Sequence, residues 1–146
     1  MTNKTKINII IELLTTVMLI VLFTLIFQYT QVHYKNFVRG QRHFKKAKYQ
    51  KALPYFITAF KTKPKNLETA QYLVWTYQRL DRNKEMAQAL KTMTKINPKD
   101  YKSKNWLADT YYAMSDYQNA EQYYRDSLTL KEDDAVRRKL VEVLLL

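Results

Sequence analysis

Between Asn105 and Leu128, apolar residues recur at helical spacing on both sides of a short polar break. Leu107, Ala108 and Tyr111 form one stripe, and Tyr117, Ala120, Tyr124 and Leu128 form a second. The stretch predicts two short amphipathic helices joined by a tight turn at Met114-Ser115-Asp116. Two such helices cannot bury their apolar faces alone, so neighbours of the same build are required. Residues 7–27 follow another pattern, apolar around the whole helical circumference. As one helix they would span about 31 Å, enough to cross a bilayer core.

The required neighbours recur upstream at a fixed offset. Leu107 maps onto Leu73, Tyr111 onto Tyr77, Tyr124 onto Leu90 and then Phe56, and Ala120 through Met86 onto Ala52. Tyr117 maps onto Tyr49 over two periods, and Pro64 and Pro98 stand one period apart. From about Tyr34 to Asp134 the chain resembles the tetratricopeptide repeat, a 34-residue helix-turn-helix closed by proline. It departs from that pattern at single positions. The packing glycine survives only as Gly40, with Val74 and Ala108 in its place later; Asn83 replaces an aromatic residue and Glu132 the last proline.

The resemblance implies an all-α fold, with three units stacked as a right-handed superhelix at about 34–66, 67–100 and 101–134. Ahead of them are expected a short tail (1–6), a transmembrane helix (7–28) and a juxtamembrane linker (29–33). The first unit would use Phe37, Gly40 and Phe44, then Tyr49, Ala52, Phe56 and Ala59. The second would use Leu73, Tyr77 and Leu80, turn at Asp81-Arg82-Asn83, and continue through Met86, Leu90, Met93 and Ile96. A last helix, 135–146, would cap the array or begin a fourth unit, with Val141 and Leu145 in core register. Its apolar end, Leu144-Leu145-Leu146, is expected to bury against the third unit; oligomerisation through this helix is the alternative.

The resemblance also implies a concave groove, lined by the first helix of each unit, for an extended peptide or a partner helix. By register it would present Phe37 and Gln41, then Gln71, Trp75 and Gln78, then Asn105, Asp109 and Tyr112. Trp75 stands off the core stripe, as an exposed aromatic anchor does; packing on the juxtamembrane segment is the competing use. One subgroup of the family grips the carboxylate tails of heat-shock chaperones with Lys, Asn and Arg. Here the corresponding residues are Phe37, Gln41, Trp75, Asn105 and Asp109, without a positive charge, so that clamp is not expected.

Charge refines the membrane reading. The net charge is +12, yet no acidic residue occurs between Glu12 and Glu68. Ten Lys or Arg lie in residues 32–67, while residues 68–146 are close to neutral. Lys35, Arg39, Arg42, Lys45, Lys46 and Lys48 follow the apolar span, against Lys4 and Lys6 before it. Near a span, such a bias predicts a cytoplasmic repeat domain on a bacterial inner membrane, with the basic residues against anionic headgroups. A short basic N-terminus ahead of an apolar span also accompanies export, so the opposite side stays open. No small-residue cleavage site follows the span, the first alanine being Ala47, and an uncleaved anchor is expected. Glu12 lies about two turns from the charged N-terminus, within reach of headgroups, and no second ionisable residue in the span offers it a proton path.

Catalytic chemistry is not expected. There is no cysteine, and with Gly40 the only glycine no phosphate-cradling loop can form. His33 and His43 lack a carboxylate nearby to orient either as a base, and without further ligands they make no metal site. Asp133-Asp134 read as charge at a helix start. The twelve tyrosines sit mostly at repeat core positions, among them Tyr49, Tyr77, Tyr111, Tyr117 and Tyr124, rather than as a base-stacking platform. Nucleic acid is a weaker alternative partner, resting on the basic stretch alone. The expectation is a non-enzymatic, membrane-anchored scaffold or adaptor with no cofactor and no metal; a small structural subunit of a membrane protein complex is the main alternative.

Overall fold

The computed structural model describes residues 3–145. Met1 and Thr2 of the expected tail, and Leu146 of the apolar end, lie outside the described residues. Within them the chain forms seven α-helices: α1 (Asn3–Lys45), α2 (Tyr49–Thr62), α3 (Leu67–Arg79), α4 (Asn83–Ile96), α5 (Tyr101–Ala113), α6 (Tyr117–Leu130) and α7 (Asp134–Leu144). Each helix packs on the next, and α1 also touches α3.

The expected linker at 29–33 is corrected: these residues are helical, and α1 runs without a break for 43 residues, about 64 Å. Composition suggested an exit from the apolar segment, but polarity alone does not end a helix. No glycine or proline precedes Gly40. Thr30 Oγ1 and Asn36 Nδ2 instead donate back to the carbonyls of Phe27 and Val32, each at 2.8 Å. Residues 5–28 are exposed on every side. Contact with the repeats begins where the Tyr29 hydroxyl donates to the Thr62 carbonyl. The first helix of the first unit is therefore the C-terminal part of α1.

The period is visible in the backbone. Helices α2, α4 and α6 begin at Tyr49, Asn83 and Tyr117, and α3 and α5 at Leu67 and Tyr101, each start one full repeat after the last. Ala47, Asp81 and Ser115 end the first helices in the left-handed region, with φ of 53°, 54° and 60°. Asn66 and Asp100 cap α3 and α5, their side chains accepting from the amides of Thr69 and Lys102. Each satisfies a donor that the first helical turn cannot.

One buried cluster joins α1, α2 and α3 through Phe37, Ala52, Leu53, Phe56, Ala59 and Leu73. A larger one extends from Ala70 to Val143, and Phe60 and Tyr77 pack against both. Gly40 lets α1 approach α2 closely, since a Cβ there would lie 2.6 Å from the Phe56 ring. Tyr117, expected in the core, is exposed and packs edge-on to Tyr112, with centroids 5.8 Å apart.

In α7 the expected core positions are corrected. Val141 and Leu145 are 51% and 81% exposed, while Val136, Leu140 and Val143 are buried. The connection from α6 to α7 is one residue shorter than its two predecessors, so α7 begins one position early relative to the repeat. Its cap is early by the same amount: Asp133, the counterpart of Asp100, accepts from the amides of Ala135 and Val136. A one-residue slip turns a helix by about 100°, which moves a different stripe inward.

Candidate binding groove

Helix α3 separates its faces by spacing. Ala70, Leu73, Val74 and Thr76 are buried, which leaves Gln71, Trp75 and Gln78 together on another side. A cleft of about 430 Å³ opens there, lined by Leu67, Glu68, Gln71, Tyr72 and Trp75 of α3, Met93 of α4 and Asp100 ahead of α5. Trp75 is 38% exposed. Its ring meets Tyr72 edge-on at 5.2 Å and lies 6.4 Å from Phe44 of α1. Tyr72 is itself held by Phe37, Phe44 and Phe56. The indole therefore packs on α1 and also offers surface to the cleft.

Not every expected groove residue is available. Phe37 is only 9% exposed, with His33 stacked at 6.0 Å and Tyr72 edge-on at 5.4 Å, so its place in the groove is corrected to the core. Gln41 and Gln71 are half-buried, and Gln78 is exposed beyond the cleft lining. Asn105 is half-buried, and its Oδ1 is a buried acceptor with no hydrogen-bond partner. Leaving such an atom unpaired costs about 1–3 kcal/mol, and with no exposed surface it is not open to a segment in the groove.

Asp109 and Tyr112 are already engaged by other helices. The Tyr124 hydroxyl donates to Asp109 at 2.6 Å, and Lys139 of α7 donates to the same carboxylate at 2.7 and 2.9 Å. Tyr112 donates to Glu142 of α7 at 2.5 Å. These five side chains line a second cleft of about 260 Å³. Burial and the bond to Asp109 push the Tyr124 phenol well above its ordinary value of 10.0. The bond to Glu142 raises Tyr112, with desolvation adding to it. The third-unit end of the groove is thus occupied by the chain's own polar contacts.

Lys35, Arg39, Arg42, Lys45, Lys46 and Lys48 are all exposed. Lys35, Arg39 and Arg42 follow one face of α1 at i, i+4 and i+7, and Lys46 lies in the turn that follows the helix. His33 is buried, its Nδ1 3.0 Å from the Ala59 carbonyl oxygen, and His43 stacks on Tyr55 at 5.4 Å. Among the described residues no cluster of His, Cys, Asp or Glu could hold a metal ion.

Sequence reasoning missed Tyr72, Leu67, Met93 and Asp100 in the open cleft, and Lys139 and Glu142 in the closed one. Tyr72 carried a usable signal, an aromatic residue directly beside the core stripe. The other contacts require the packing of adjacent helices.

A family model of the tetratricopeptide repeat matches residues 27–138. Comparison with curated protein sequences gives no match. Among solved structures, the chain is similar to the first such domain of Spaghetti bound to the HSP90 peptide SRMEEVD. Identity is 17%, TM-score 0.64, with 79% of this chain and 92% of that one covered. It is similar to the N-terminal domain of stress-induced protein-1 from C. elegans, at 18% identity and TM-score 0.67, covering 79% and 96%. It is also similar to MamA, at 17% identity and TM-score 0.70, covering 78% of this chain and 63% of MamA.

Proposed function

The chain belongs to the tetratricopeptide repeat family, and on that premise we propose that it is a non-catalytic scaffold that holds an extended protein segment at a membrane surface. One observation carries the groove reading. Trp75 is a partly exposed indole fixed by Tyr72 and Phe44 at the wall of an open cleft. A preorganised aromatic surface of this kind loses little side-chain freedom on binding. The similar fold of Spaghetti, solved with a peptide, supports this use. A chaperone carboxylate tail is disfavoured here, because Asp109 is anionic and takes up the charge of Lys139.

Residues 7–28 serve as the anchor in this reading. They belong to a helix long and apolar enough to cross a membrane, and none of their side chains is buried by the repeats. Because α1 continues unbroken to Lys45, a helix standing along the bilayer normal would carry Lys35 about 12 Å and Lys45 about 27 Å past Phe27. Only the first basic residues then meet headgroups; the rest act as an orientation signal for a cytoplasmic repeat domain on a bacterial inner membrane.

Selection from a random peptide display library on the full chain in detergent tests the groove. Enriched sequences should lose binding to Trp75→Ala while helicity is unchanged; retained binding would remove the groove from the proposal. Side is tested with Ser115→Cys, a single thiol on the exposed α5–α6 turn, and a membrane-impermeant maleimide. Labelling only after lysis is expected, and labelling of intact cells would reverse the orientation.

A further inference from the structure

The open cleft carries a charge pattern opposite to that of the chain. On a protein of net charge +12, its lining includes two carboxylates, Glu68 and Asp100, and no cation. Lys65, Lys99 and Lys102 are near these carboxylates in sequence, but they are exposed and none lines the cleft. Glu68 is exposed, and among the described residues its carboxylate has no hydrogen bond or ion pair. Asp100 accepts from the Lys102 amide at 3.1 Å and the Ser103 hydroxyl at 2.5 Å, which leaves its charge without a cation. Both groups stand at helix N-termini, where the backbone supplies only about half a positive charge against each full negative one. This end of the cleft therefore stays anionic. Glu68, Gln71, Tyr72 and Trp75 share one face of α3 at i, i+3, i+4 and i+7. The carboxylate is thus two turns, about 10 Å along the axis, from the indole.

Building on the groove reading, we propose that the bound protein segment is basic and seats a lysine or arginine side chain in this cleft. The two ends of the cleft match the two parts of such a side chain. Its methylene stem lies along Trp75, Met93 and Leu67, and its charged head reaches Glu68 and Asp100. The indole face also attracts a cation directly. The groove already holds one such group, supplied by the chain itself. One repeat after Trp75, Asp109 takes the Lys139 ammonium at 2.7 and 2.9 Å, in a cleft that Tyr112 and Tyr124 also line. The third unit thus carries, filled by α7, the pairing of carboxylate and aromatic surface that the second unit leaves open. An acidic segment is disfavoured by the same charges, since the cleft offers it no cation.

Two peptide display libraries, one fully random and one lacking Lys and Arg, test this on the full chain in uncharged detergent. Binders lost on Trp75→Ala are expected from the first library only, each with a basic residue. Their affinity should fall about tenfold on Glu68→Gln or Asp100→Asn, the latter keeping a side chain that caps α5. Changing that basic residue to Glu should abolish binding to the chain, and Glu68→Lys should restore part of it. This charge exchange carries the test if a neutral variant lowers helicity. Trp75-dependent binders without a basic residue, or indifference to both carboxylates, would overturn the proposal and leave the groove standing. Absence of Trp75-dependent binders from both libraries would remove groove and proposal together. A concentration-dependent dimer lost on Glu68→Lys would also overturn it, making the basic stretch of a second copy the occupant.

Discussion

Lys139 on α7 holds Asp109 on α5, its Nζ 2.7 and 2.9 Å from the two carboxylate oxygens. Since Tyr124 of α6 donates to the same group, one carboxylate links three helices. The paired side chains are 42% and 38% exposed, so solvent screens much of their attraction. Asp109→Ala should lower stability by about 1 kcal/mol. For a domain of this size that is about 4 °C in the thermal midpoint, read by circular dichroism. Lys139→Ala should cost less, because Tyr124 keeps its acceptor. The reverse order would mean that the ion pair to α7 outweighs the phenol bond between α5 and α6.

Alkaline pH should weaken the repeats. Below its ordinary value of 10.0, Tyr124 is protonated both folded and unfolded, and its contribution does not vary. Above that value the unfolded phenol ionises while the folded one keeps its proton, so stability falls as pH rises. Tyr77 and Tyr123, raised chiefly by burial, act in the same direction. Thermal midpoints measured from pH 8 to pH 11 should drop above about pH 10, and Tyr124→Phe should flatten the drop.

Gly40→Ala should destabilise the chain although alanine favours helix. The new Cβ would lie 2.6, 2.7 and 3.0 Å from three atoms of the fully buried Phe56 ring. Helix propensity returns about 1 kcal/mol, while overpacking costs typically about 1–3 kcal/mol. Denaturant titration should give a net loss, and Phe56→Leu combined with Gly40→Ala should recover part of it.

Ala47 takes a left-handed conformation with no side chain able to support it, at φ 53°. Asp81 and Ser115 occupy the equivalent turns with polar side chains. Ala47→Gly should therefore stabilise the α1–α2 turn by about 0.5–1 kcal/mol. Asp81→Gly should gain less, as Asp tolerates this region better than Ala. Equal gains would mean that the strain is independent of side-chain type.

The repeat register was legible because local geometry and packing imposed the same period. Leu73 and Leu107, or Leu90 and Tyr124, recur one period apart because each fills the same seat between adjacent helices. Apart from Phe37, the expected groove residues are open or half-open in the structure, but Asp109 and Tyr112 among them are already bonded to α6 or α7. Phe37 was misplaced because facing the groove side of α1 does not reveal that Tyr72 of α3 covers it. In α7 the short connection after Leu130 was the missed signal: Glu132 stood where proline was expected, and one residue fewer rotated the core stripe.

The sequence by itself determined the helices, their turns and the apolar segment at the start, because helical periodicity and the repeat period are properties of neighbouring residues. Tertiary structure decided what those helices do to one another. Residues of the expected linker proved to be part of α1, with Tyr29 and His33 placed against carbonyls of α2. Docking on α6 selected which stripe of α7 is buried, leaving Val141 and Leu144 uncovered. Burial and ion pairing depend on atoms brought together from distant parts of the chain, which is why Lys139 could be assigned to Asp109 only once three helices were in place.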